Sequence, residues 1–473
     1  MKEFFATEDI NASAVNEFFN DSLKKDNHIH AMSVYIGGEK KLEFAAEPYS
    51  LYDKREIYSL SKSFTSAAIG AAWDEGFINL EEKLIDIFPD KLPKNISDNL
   101  SKMTVWHCLT MTTGHEECVM KSLFNSSDPA RDFLANEVQY EPGTHFLYNT
   151  GASCMLGVIL EKKTGRKLFD YTSEKILEPL GINESYWTEC ASGVNEGGIG
   201  LHISCDDISK FGLMLANKGV YKGKQILSKE WIEMAGAAQV DNKLNGDSGT
   251  GNWTSGYGFQ FWRTAKDGYR GDGLKGQLCM IMPKNNAVVN IVACTKDMES
   301  EIADAVTLVE NIIGNSIQTL NIPDYPPLSL DNESLPDYVG KTIITDKTPT
   351  KITSLRIDKT EGGIAINLYN GHDKQILFAG DGKWEESSLY MPATAPKITM
   401  FMNPYISEKV RTAASFTFKN GKLIIKVKHL SNPHTVYITV TQNKNKLTAH
   451  FETEWMPDML PNDARTLTAT IIE

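Results

Sequence analysis

The sequence contains few of the residues that would indicate a metal-binding or disulfide-bonded protein. Its seven cysteines stand singly along 473 residues, and no two of them have the Cys-x-x-Cys spacing of a structural zinc site. An odd number of scattered cysteines, several of them within apolar stretches, indicates reduced and largely buried thiols. The sequence therefore predicts no metal ion, and we expect no cofactor.

Long apolar runs and an excess of positive charge are also missing. No stretch approaches the roughly 18 apolar residues that a membrane span needs. Acidic residues interrupt the first nine positions, where a signal peptide would have its apolar core. The 61 Asp and Glu outnumber the 48 Lys and Arg, and the net charge of −13 disfavours nucleic acid and anionic membranes as partners. We expect a cytoplasmic protein whose oligomeric state the sequence leaves open.

The composition that remains is typical of a globular chain with more than one domain. Hydrophobic residues make up 41% and charged residues 23% of a chain too long for one ordinary core. The stiff segment NIPDYPP at 321–327 marks the best boundary. We predict a first domain over residues 1–322, a Pro-rich linker over 323–334 and a second domain over 335–473.

The first domain has strand patterns at both ends and helical patterns between them. A hairpin is expected over residues 31–46, and further strands over 256–262, 277–282 and 287–294. A helix near 299–313 completes the unit. The sequence therefore predicts a mixed α and β domain (α/β, in the α+β sense), with one sheet built from both chain ends and a helical region inserted.

The second domain changes to short alternating strands. Two-residue turns are expected at Asn370-Gly371 and Asn420-Gly421, which are strong hairpin signals. The pattern predicts an antiparallel β domain, closed or nearly closed into a barrel. Three roles are open for this domain: it covers the cleft, mediates dimerisation or binds a small apolar ligand.

The segment YSLSKSFT at residues 58–65 is the most informative part of the chain. It opens an Ala-rich helix expected over 59–75, and it places Ser59 and Lys62 one turn apart on the same helical face. A serine hydroxyl needs a neighbouring base to act as a nucleophile. Burial and the positive end of the helix dipole both favour the neutral, basic form of the amine.

Two later segments extend this motif. Residues 142–153 read PGTHFLYNTGAS and place Tyr148 on a turn before a helix, where a phenol can relay the serine proton. Residues 269–277 read YRGDGLKGQ and lead into a strand. Glycines there allow close approach of a substrate, and a strand N–H can supply an oxyanion donor.

In this order the three segments resemble the serine β-lactamase and penicillin-binding-protein superfamily, and are most similar to the class C β-lactamase-like serine hydrolases. Supporting blocks are LTMTTGH at 109–115 and GGIGL at 197–201. The resemblance covers about residues 28–315. It implies an antiparallel sheet with helices on both faces and an inserted helical lobe, with the site between sheet and lobe.

The resemblance also implies residue roles. Ser59 would be the acylated nucleophile, Lys62 its base, and Tyr148 the phenol that passes the proton to the leaving group. The backbone N–H groups of Ser59 and Leu274 would form the oxyanion hole. Asp272 either orients the site or caps the turn. The candidate oxyanion and substrate-binding residues are Leu274, Thr150, Gly273, Asp272 and Asn149.

Two positions depart from the family pattern. Thr150 stands where Asn is usual, and Gly271 stands where a Lys or His normally holds a substrate carboxylate. Arg270 and Lys275 are the alternatives for that cation, although Arg270 would point to the opposite face of a regular strand. We therefore expect hydrolysis of a small ester or amide. The alternative is a penicillin-binding receptor or D-specific peptidase with weak or no β-lactamase activity.

Aromatic residues near the third segment have two interpretations. Trp253, in a loop, either lines an acyl pocket or belongs to the core, whereas Tyr257 and Trp262 favour the core. His145 favours a surface position. Substrate specificity is expected to depend on loops 115–135 and 240–255.

Overall fold

The structure is a computed structural model. It describes residues 3–124, 126–243, 251–314, 319–330, 334–346, 352–370, 373–391, 408–453 and 466–472. The chain divides into two compact units, of which the first comprises Met1–Ala46 and Ser50–Pro323 and the second Glu47–Tyr49 and Asp324–Glu473. Residues 331–333 of the predicted linker, Gly371 of the predicted hairpin and residues 244–250 of the predicted specificity loop lie outside the described residues.

The elements of the first unit alternate between short strands and helices. Its strands are β1 (Glu3–Ala6), β2 (His28–Ile36), β3 (Glu39–Ala45), β4 (Arg55–Glu56), β5 (Tyr186–Trp187), β6 (Leu201–Ile203), β7 (Val220–Tyr221), β8 (Lys224–Gln225), β9 (Trp262–Thr264), β10 (Gly268–Gly273), β11 (Gln277–Met282) and β12 (Ala287–Cys294). Its helices are α1 (Ala12–Lys24), α2 (Ser61–Asp74), α3 (Leu84–Ile87), α4 (Val105–Leu109), α5 (Met120–Phe124), α6 (Pro129–Ala135), α7 (Thr150–Thr164), α8 (Leu168–Thr172), α9 (Glu178–Leu180), α10 (Cys205–Ala216), α11 (Lys229–Gly236) and α12 (Met298–Asn311).

The main sheet of this unit is antiparallel, in the order β1-β3-β2-β12-β11-β10-β9. Its two chain-terminal parts meet where β2 pairs with β12, in the register Ser33↔Asn290. This confirms the predicted fold class, with one sheet built from both ends of the unit and a helical region between them.

Helices cover both faces of the sheet. On one face Ser209 of α10 lies 2.7 Å from Ser33 of β2 through their hydroxyl oxygens. On the other face Phe19 of α1 contacts Phe44 of β3, with 5.1 Å between ring centroids. Phe44 pairs with Met32, the neighbour of Ser33, and successive residues of a strand point to opposite faces. The sheet therefore forms the middle layer.

Two predicted bounds are wrong. Residues 256–261 do not form a continuous strand, although Tyr257 makes isolated β-bridges to Val240 and Trp262. Gln260 has a φ of +64°, and its buried amide donates to the carbonyl oxygens of Cys108 and Leu109. The helix expected from Ser59 begins at Ser61 instead, and Tyr58–Leu60 form a 3-10 turn before it.

The second unit is a β-barrel. Its strands are β13 (Thr342–Thr345), β14 (Ser354–Thr360), β15 (Gly363–Tyr369), β16 (Lys374–Gly380), β17 (Glu385–Met391), β18 (Glu408–Lys419), β19 (Lys422–His429), β20 (Thr435–Asn443), β21 (Lys446–Thr453) and β22 (Thr466–Ile472). A parallel bridge between β16 and β18, at Gly380↔Ser415, closes nine of these strands into a ring, and β17 pairs outside it. The predicted barrel is confirmed. Asn420 and Gly421, with φ of +53° and +71°, form the predicted tight turn between β18 and β19.

The described helices do not include one that is both long and apolar enough to cross a lipid bilayer.

Candidate active site

Ser59 lies in the 3-10 turn that leads directly into α2. The residue before it, Tyr58, is held at a φ of +47°, which turns the chain sharply at the serine. The side chains of α2 are buried from Ser61 to Ala72. Small residues make this possible, since a Cβ at Gly70 would lie only 2.4 Å from the indole nitrogen of Trp231. The serine therefore sits at the end of a rigid, close-packed element.

Lys62 points back from the first turn of α2 to this serine. Its Nζ donates to Ser59 Oγ over 3.0 Å and to the carbonyl oxygen of Gly198 over 2.7 Å. The side chain is 1% exposed, and this burial lowers the pKa of Lys62 to about 8. At pH 7 about a tenth of such an amine is neutral, against a negligible share for an exposed lysine. The geometry and the electrostatics both suit proton transfer from the serine.

Thr150 lies next to Gly198, whose carbonyl oxygen accepts from Lys62. A Cβ at Gly198 would lie 2.6 Å from Thr150 Cγ2, so these two residues are in direct contact. Thr150 is the first residue of α7 and is 8% exposed. Thr150 therefore contacts the residue that binds the Lys62 amine, and its contact with substrate stays a prediction.

Tyr148 lies close to both Ser59 and Lys62. Lys62 Nζ lies 4.9 Å from the centre of the Tyr148 ring. Burial, with the nearby charge of Asp272, raises the pKa of the Tyr148 phenol, while its hydrogen-bonding contact with Ser59 acts in the opposite direction. The phenol is therefore protonated near neutral pH and can donate to a leaving group.

Asn149 lies next to Tyr148 in the chain but is buried at the start of α7. Its side chain is fully buried and caps α7, and its Oδ1 accepts hydrogen bonds from the backbone N–H groups of Gly151 and Val119, over 3.0 and 3.2 Å. Its acceptor is thus used within the protein, and the contact of Asn149 with substrate stays a prediction. Asn149 holds the 115–119 loop against the start of α7.

The third segment runs along the nucleophile turn at very short range. A Cβ at Gly273 would lie 2.1 Å from the carbonyl oxygen of Ile57, and one at Gly271 would lie 2.3 Å from Ser63 Oγ. At Gly273 the obstacle is backbone, so only glycine fits there, whereas at Gly271 an added Cβ would displace the side chains of Ser63 and Leu60. A side chain at position 271 would point toward α2.

Arg270 does not take the place of the cation that the family pattern has at position 271. It is fully buried, and its Nε donates to Asp272 Oδ2 over 2.8 Å while its Nη1 donates to the carbonyl oxygen of Asn252, also over 2.8 Å. Burial raises the pKa of the Asp272 carboxyl, and the guanidinium of Arg270 and the ammonium of Lys62 act against this shift. The two side chains form an ion pair on the face of β10 that points away from the two glycines.

The turn that carries Leu274 is fixed by Gln277. This fully buried amide donates through Nε2 to the carbonyl oxygens of Ala293, Lys275 and Leu274, over 2.9, 3.2 and 3.3 Å. Leu274 itself is partly exposed at the end of β10. The backbone of the candidate oxyanion turn is therefore held in place by the side chain of Gln277.

Aromatic side chains form a wall beside Tyr148. Trp262 stacks on Tyr148, with 5.2 Å between ring centres and 26° between planes, and Trp253 meets Trp262 edge to face at 4.8 Å. Trp253 is partly exposed, whereas Trp262 and Tyr257 are buried. Trp262 is thus a core residue that also contacts the site. His145 is partly exposed and stacks on Tyr140.

These three segments lie within one continuous match to a known family. A family model described as Beta-lactamase matches residues 19–310, which is more than half of the chain. The chain belongs to the beta-lactamase family. The match spans Ser59, Lys62, Tyr148 and the whole of β10 and β11.

Two relatives of this beta-lactamase family member have names that describe hydrolases. It is 22% identical over 278 residues to the 6-aminohexanoate-dimer hydrolase of Paenarthrobacter ureafaciens, which covers 55% of this chain and 71% of that protein. It is 28% identical over 152 residues to the D-aminopeptidase of Brucella anthropi, covering 29% of this chain but only 27% of that protein. The match thus spans about a quarter of the aminopeptidase.

A solved structure extends the likeness of fold to nearly the whole chain. The octameric penicillin-binding protein homologue from Pyrococcus abyssi has a TM-score of 0.51 and 16% identity, over 97% of this chain and 100% of that one. At this identity the likeness shows the fold.

Parts of this family site were not found from the sequence. The Gly198 carbonyl is a backbone acceptor and carries no signal in side-chain types. The role of Gln277, by contrast, did have a signal in the sequence. Gln277 is a polar residue at the start of the otherwise apolar strand QLCMIM, and a buried polar side chain needs hydrogen-bond partners. Across the described ranges, no cluster of three or more His, Cys, Asp or Glu side chains is arranged to hold a metal ion.

Proposed function

We propose that the protein is a serine hydrolase, of the class C β-lactamase-like type, that cleaves a small ester or amide through a covalent acyl-Ser59 intermediate. The observation that carries this proposal is the 3.0 Å contact between Ser59 Oγ and the buried amine of Lys62. Ser59 is partly exposed whereas Lys62 is not, so a substrate can reach the hydroxyl while water is kept from the amine.

Acylation begins with the neutral form of Lys62. The amine takes the Ser59 proton as Oγ attacks the substrate carbonyl carbon, and the carbonyl oxygen becomes an oxyanion. We assign the binding of that oxyanion to the backbone N–H groups of Ser59 and Leu274. When the tetrahedral intermediate collapses, the bond to the leaving oxygen or nitrogen breaks, and Tyr148 gives that atom its proton. The phenol recovers a proton from the ammonium of Lys62.

Deacylation uses the same groups in reverse. Water attacks the acyl carbon, its proton passes to the Tyr148 and Lys62 pair, and the ester bond to Ser59 Oγ breaks. The oxygen of Ser59 takes back a proton, so that the enzyme returns to its starting state and the acid product leaves. One pair of residues therefore serves both half-reactions.

The substrate class follows from what the site lacks and from the names of the relatives. Position 271 carries no cation and Arg270 is fully buried, so of the three candidate positions only the partly exposed Lys275 is left to meet a substrate carboxylate. This disfavours penicillin-like substrates. The hydrolase and the aminopeptidase named above support linear amides, with small esters as the related class.

The test is hydrolysis of p-nitrophenyl butyrate and of the matching p-nitroanilide by purified protein. Ser59→Ala is expected to lower kcat/KM by at least about 10²-fold. Ser101→Ala is the matched control, because Ser101 also occupies the middle of a 3-10 turn, Leu100–Lys102. Equal activity of the two variants would refute the role of Ser59. Slow acylation by a labelled penicillin, without turnover of either substrate, would favour the receptor alternative instead.

A further inference from the structure

Three polar side chains of α2 hold the glycine-rich segment 197–201 beside the proposed base. Ser61, Lys62 and Thr65 lie within about 100° of arc on one side of the helix, because positions i, i+1 and i+4 are close together around a helix axis. All three side chains are buried. Ser61 Oγ accepts from the backbone N–H of Leu201 over 3.1 Å, at the far end of the segment. This face of α2 therefore supports the segment.

Thr65 and Lys62 bind two successive carbonyl oxygens of this segment. Thr65 Oγ1 donates to the carbonyl oxygen of Gly197 over 2.5 Å, and Lys62 Nζ donates to that of Gly198 over 2.7 Å. Thr65 is fully buried, so its hydrogen bond is shielded from water. The threonine hydroxyl therefore holds the peptide unit directly before the carbonyl group that binds the proposed base.

The segment depends on such restraints because two of its adjacent residues are glycines. A Cβ at Gly197 would lie 2.8 Å from the carbonyl oxygen of Ser153, and one at Gly198 would lie 2.6 Å from Thr150 Cγ2, so the packing of α7 favours glycine at both positions. Glycine has the widest conformational freedom of any residue. The direction of the Gly198 carbonyl is therefore set by its hydrogen bonds and contacts rather than by its own backbone preferences.

The Gly198 carbonyl acts on both the direction and the basicity of the Lys62 amine. A neutral amine that donates one N–H to this carbonyl can turn its lone pair toward Ser59 Oγ, which lies 3.0 Å from Nζ. A hydrogen bond to the charged form of a group favours that form, so the same carbonyl stabilises the ammonium. Movement of this carbonyl would therefore change the rate of proton transfer and the pH at which the base is formed.

Titratable groups from other parts of the site also face this amine. They are Cys118, Tyr148, Cys154 of α7 and Asp272 of β10. Burial lowers the pKa of Lys62 to about 8, and the two thiols and the carboxyl act against this shift. All four groups are retained in a variant of Thr65, so a change in the titration of Lys62 in that variant reports on the Gly198 carbonyl.

We propose that Thr65 is a positioning residue of the active site: its hydroxyl fixes the peptide between Gly197 and Gly198, so that the Gly198 carbonyl holds the Lys62 amine toward Ser59. Without the hydroxyl the two glycines are free to rotate this peptide, and the amine loses both its acceptor and its fixed direction. This inference rests on the proposed acyl-Ser59 chemistry.

The experiment compares wild type with Thr65→Val, which keeps the shape of the side chain and removes its hydroxyl, in hydrolysis of p-nitrophenyl butyrate. The variant is expected to lower kcat at least about tenfold, the scale of a misplaced catalytic group, and to leave KM within about threefold. The midpoint of the pH profile of kcat/KM is expected to fall by at least about half a pH unit, because the ammonium form loses its carbonyl acceptor. A variant that is merely less stable would keep the wild-type midpoint.

Two further variants serve as controls. Thr65→Ser retains the hydroxyl and is expected to keep kcat within about threefold of wild type, at the wild-type midpoint. Thr172→Val removes another fully buried hydroxyl, which donates over 2.6 Å to the carbonyl oxygen of Leu168 within α8. It is expected to leave both kcat and the midpoint unchanged.

The outcomes distinguish this inference from the proposed function. If wild type cleaves the ester and Thr65→Val matches Thr172→Val, or loses kcat at an unchanged midpoint, the role of Thr65 is refuted while the proposed function stands. If wild type does not cleave the ester, both fail. Thr65→Ala takes the place of a valine variant that does not fold. Loss of the fold in both, with Thr172→Val folded, would give Thr65 a structural role and overturn the proposal.

Discussion

Gly271 lies so close to Ser63 that a Cβ at position 271 would stand 2.3 Å from the Ser63 hydroxyl oxygen. Strand β10 and helix α2 are in backbone-to-side-chain contact here, and this contact places the third sequence segment beside the nucleophile turn. An added Cβ at position 271 would also stand 2.6 Å from Leu60 Cδ1, so both side chains would have to move.

Gly271→Ala is expected to destabilise the first unit by about 1–3 kcal/mol, the usual cost of overpacking a close contact. Chemical denaturation followed by tryptophan fluorescence measures the loss. Gly251→Ala is the control, because an added Cβ there meets no atom within 4 Å and Gly251 has no positive φ. Equal stability of the two variants would contradict the close contact.

Lys62→Met is expected to lower kcat/KM by at least about 10²-fold and to raise the melting temperature. Activity falls because the general base is lost. Stability rises because an apolar side chain of similar length replaces an amine that is 1% exposed and costly to bury. Esterase assays and thermal melts on one preparation test both effects. A variant that loses activity and stability together would instead indicate a structural role.

The rate is expected to rise with pH. Burial lowers the pKa of Lys62 to about 8, and the proposed base acts only when deprotonated. kcat/KM should therefore increase about tenfold per pH unit below 8 and level off above it. The measurement is the pH profile of p-nitrophenyl butyrate hydrolysis between pH 6 and 9.5, corrected for the spontaneous rate. A profile that is flat across this range would contradict the role of Lys62.

Glu301→Gln is expected to stabilise the protein at alkaline pH. Burial raises the pKa of Glu301 from 4.5 to about 8, so between these values the folded state holds a proton that the unfolded state has released. Stability then falls as pH rises, by about 1.4 kcal/mol per pH unit for one proton. The glutamine variant removes this dependence. Denaturation at pH 5, 7 and 9 measures it, with the exposed Glu310→Gln as control, and parallel slopes for wild type and Glu301→Gln would contradict the assignment.

Much of the fold was predictable because local signals agreed with the final packing. The apolar runs at 277–282 and 287–294 became β11 and β12 with the predicted bounds, since each is bounded by turn residues. The prediction of a strand over residues 256–261 was wrong because the buried amide of Gln260 binds carbonyl oxygens of α4, some 150 positions away in the chain. Such a long-range contact cannot be predicted from the neighbouring residues in the sequence.

The candidate site likewise has one part that was predictable from the sequence and one part that was not. The contact between Ser59 and Lys62 follows from helical spacing, and the shared face of Arg270 and Asp272 follows from strand alternation. Asn149 shows what the local sequence cannot predict. Its position before α7 is a local property, but whether its amide faces substrate or the protein depends on Val119, which the fold brings to it.

The central claim is that Ser59 Oγ becomes covalently acylated, and labelling with a fluorophosphonate probe tests it most directly. Trypsin releases the peptide of residues 56–62, which contains two serines, so fragment-ion mass spectrometry is needed to separate Ser59 from Ser61. We expect the adduct on Ser59, and none on this peptide in Ser59→Ala. An adduct on Ser61, or equal labelling of wild type and Ser59→Ala, would contradict the account.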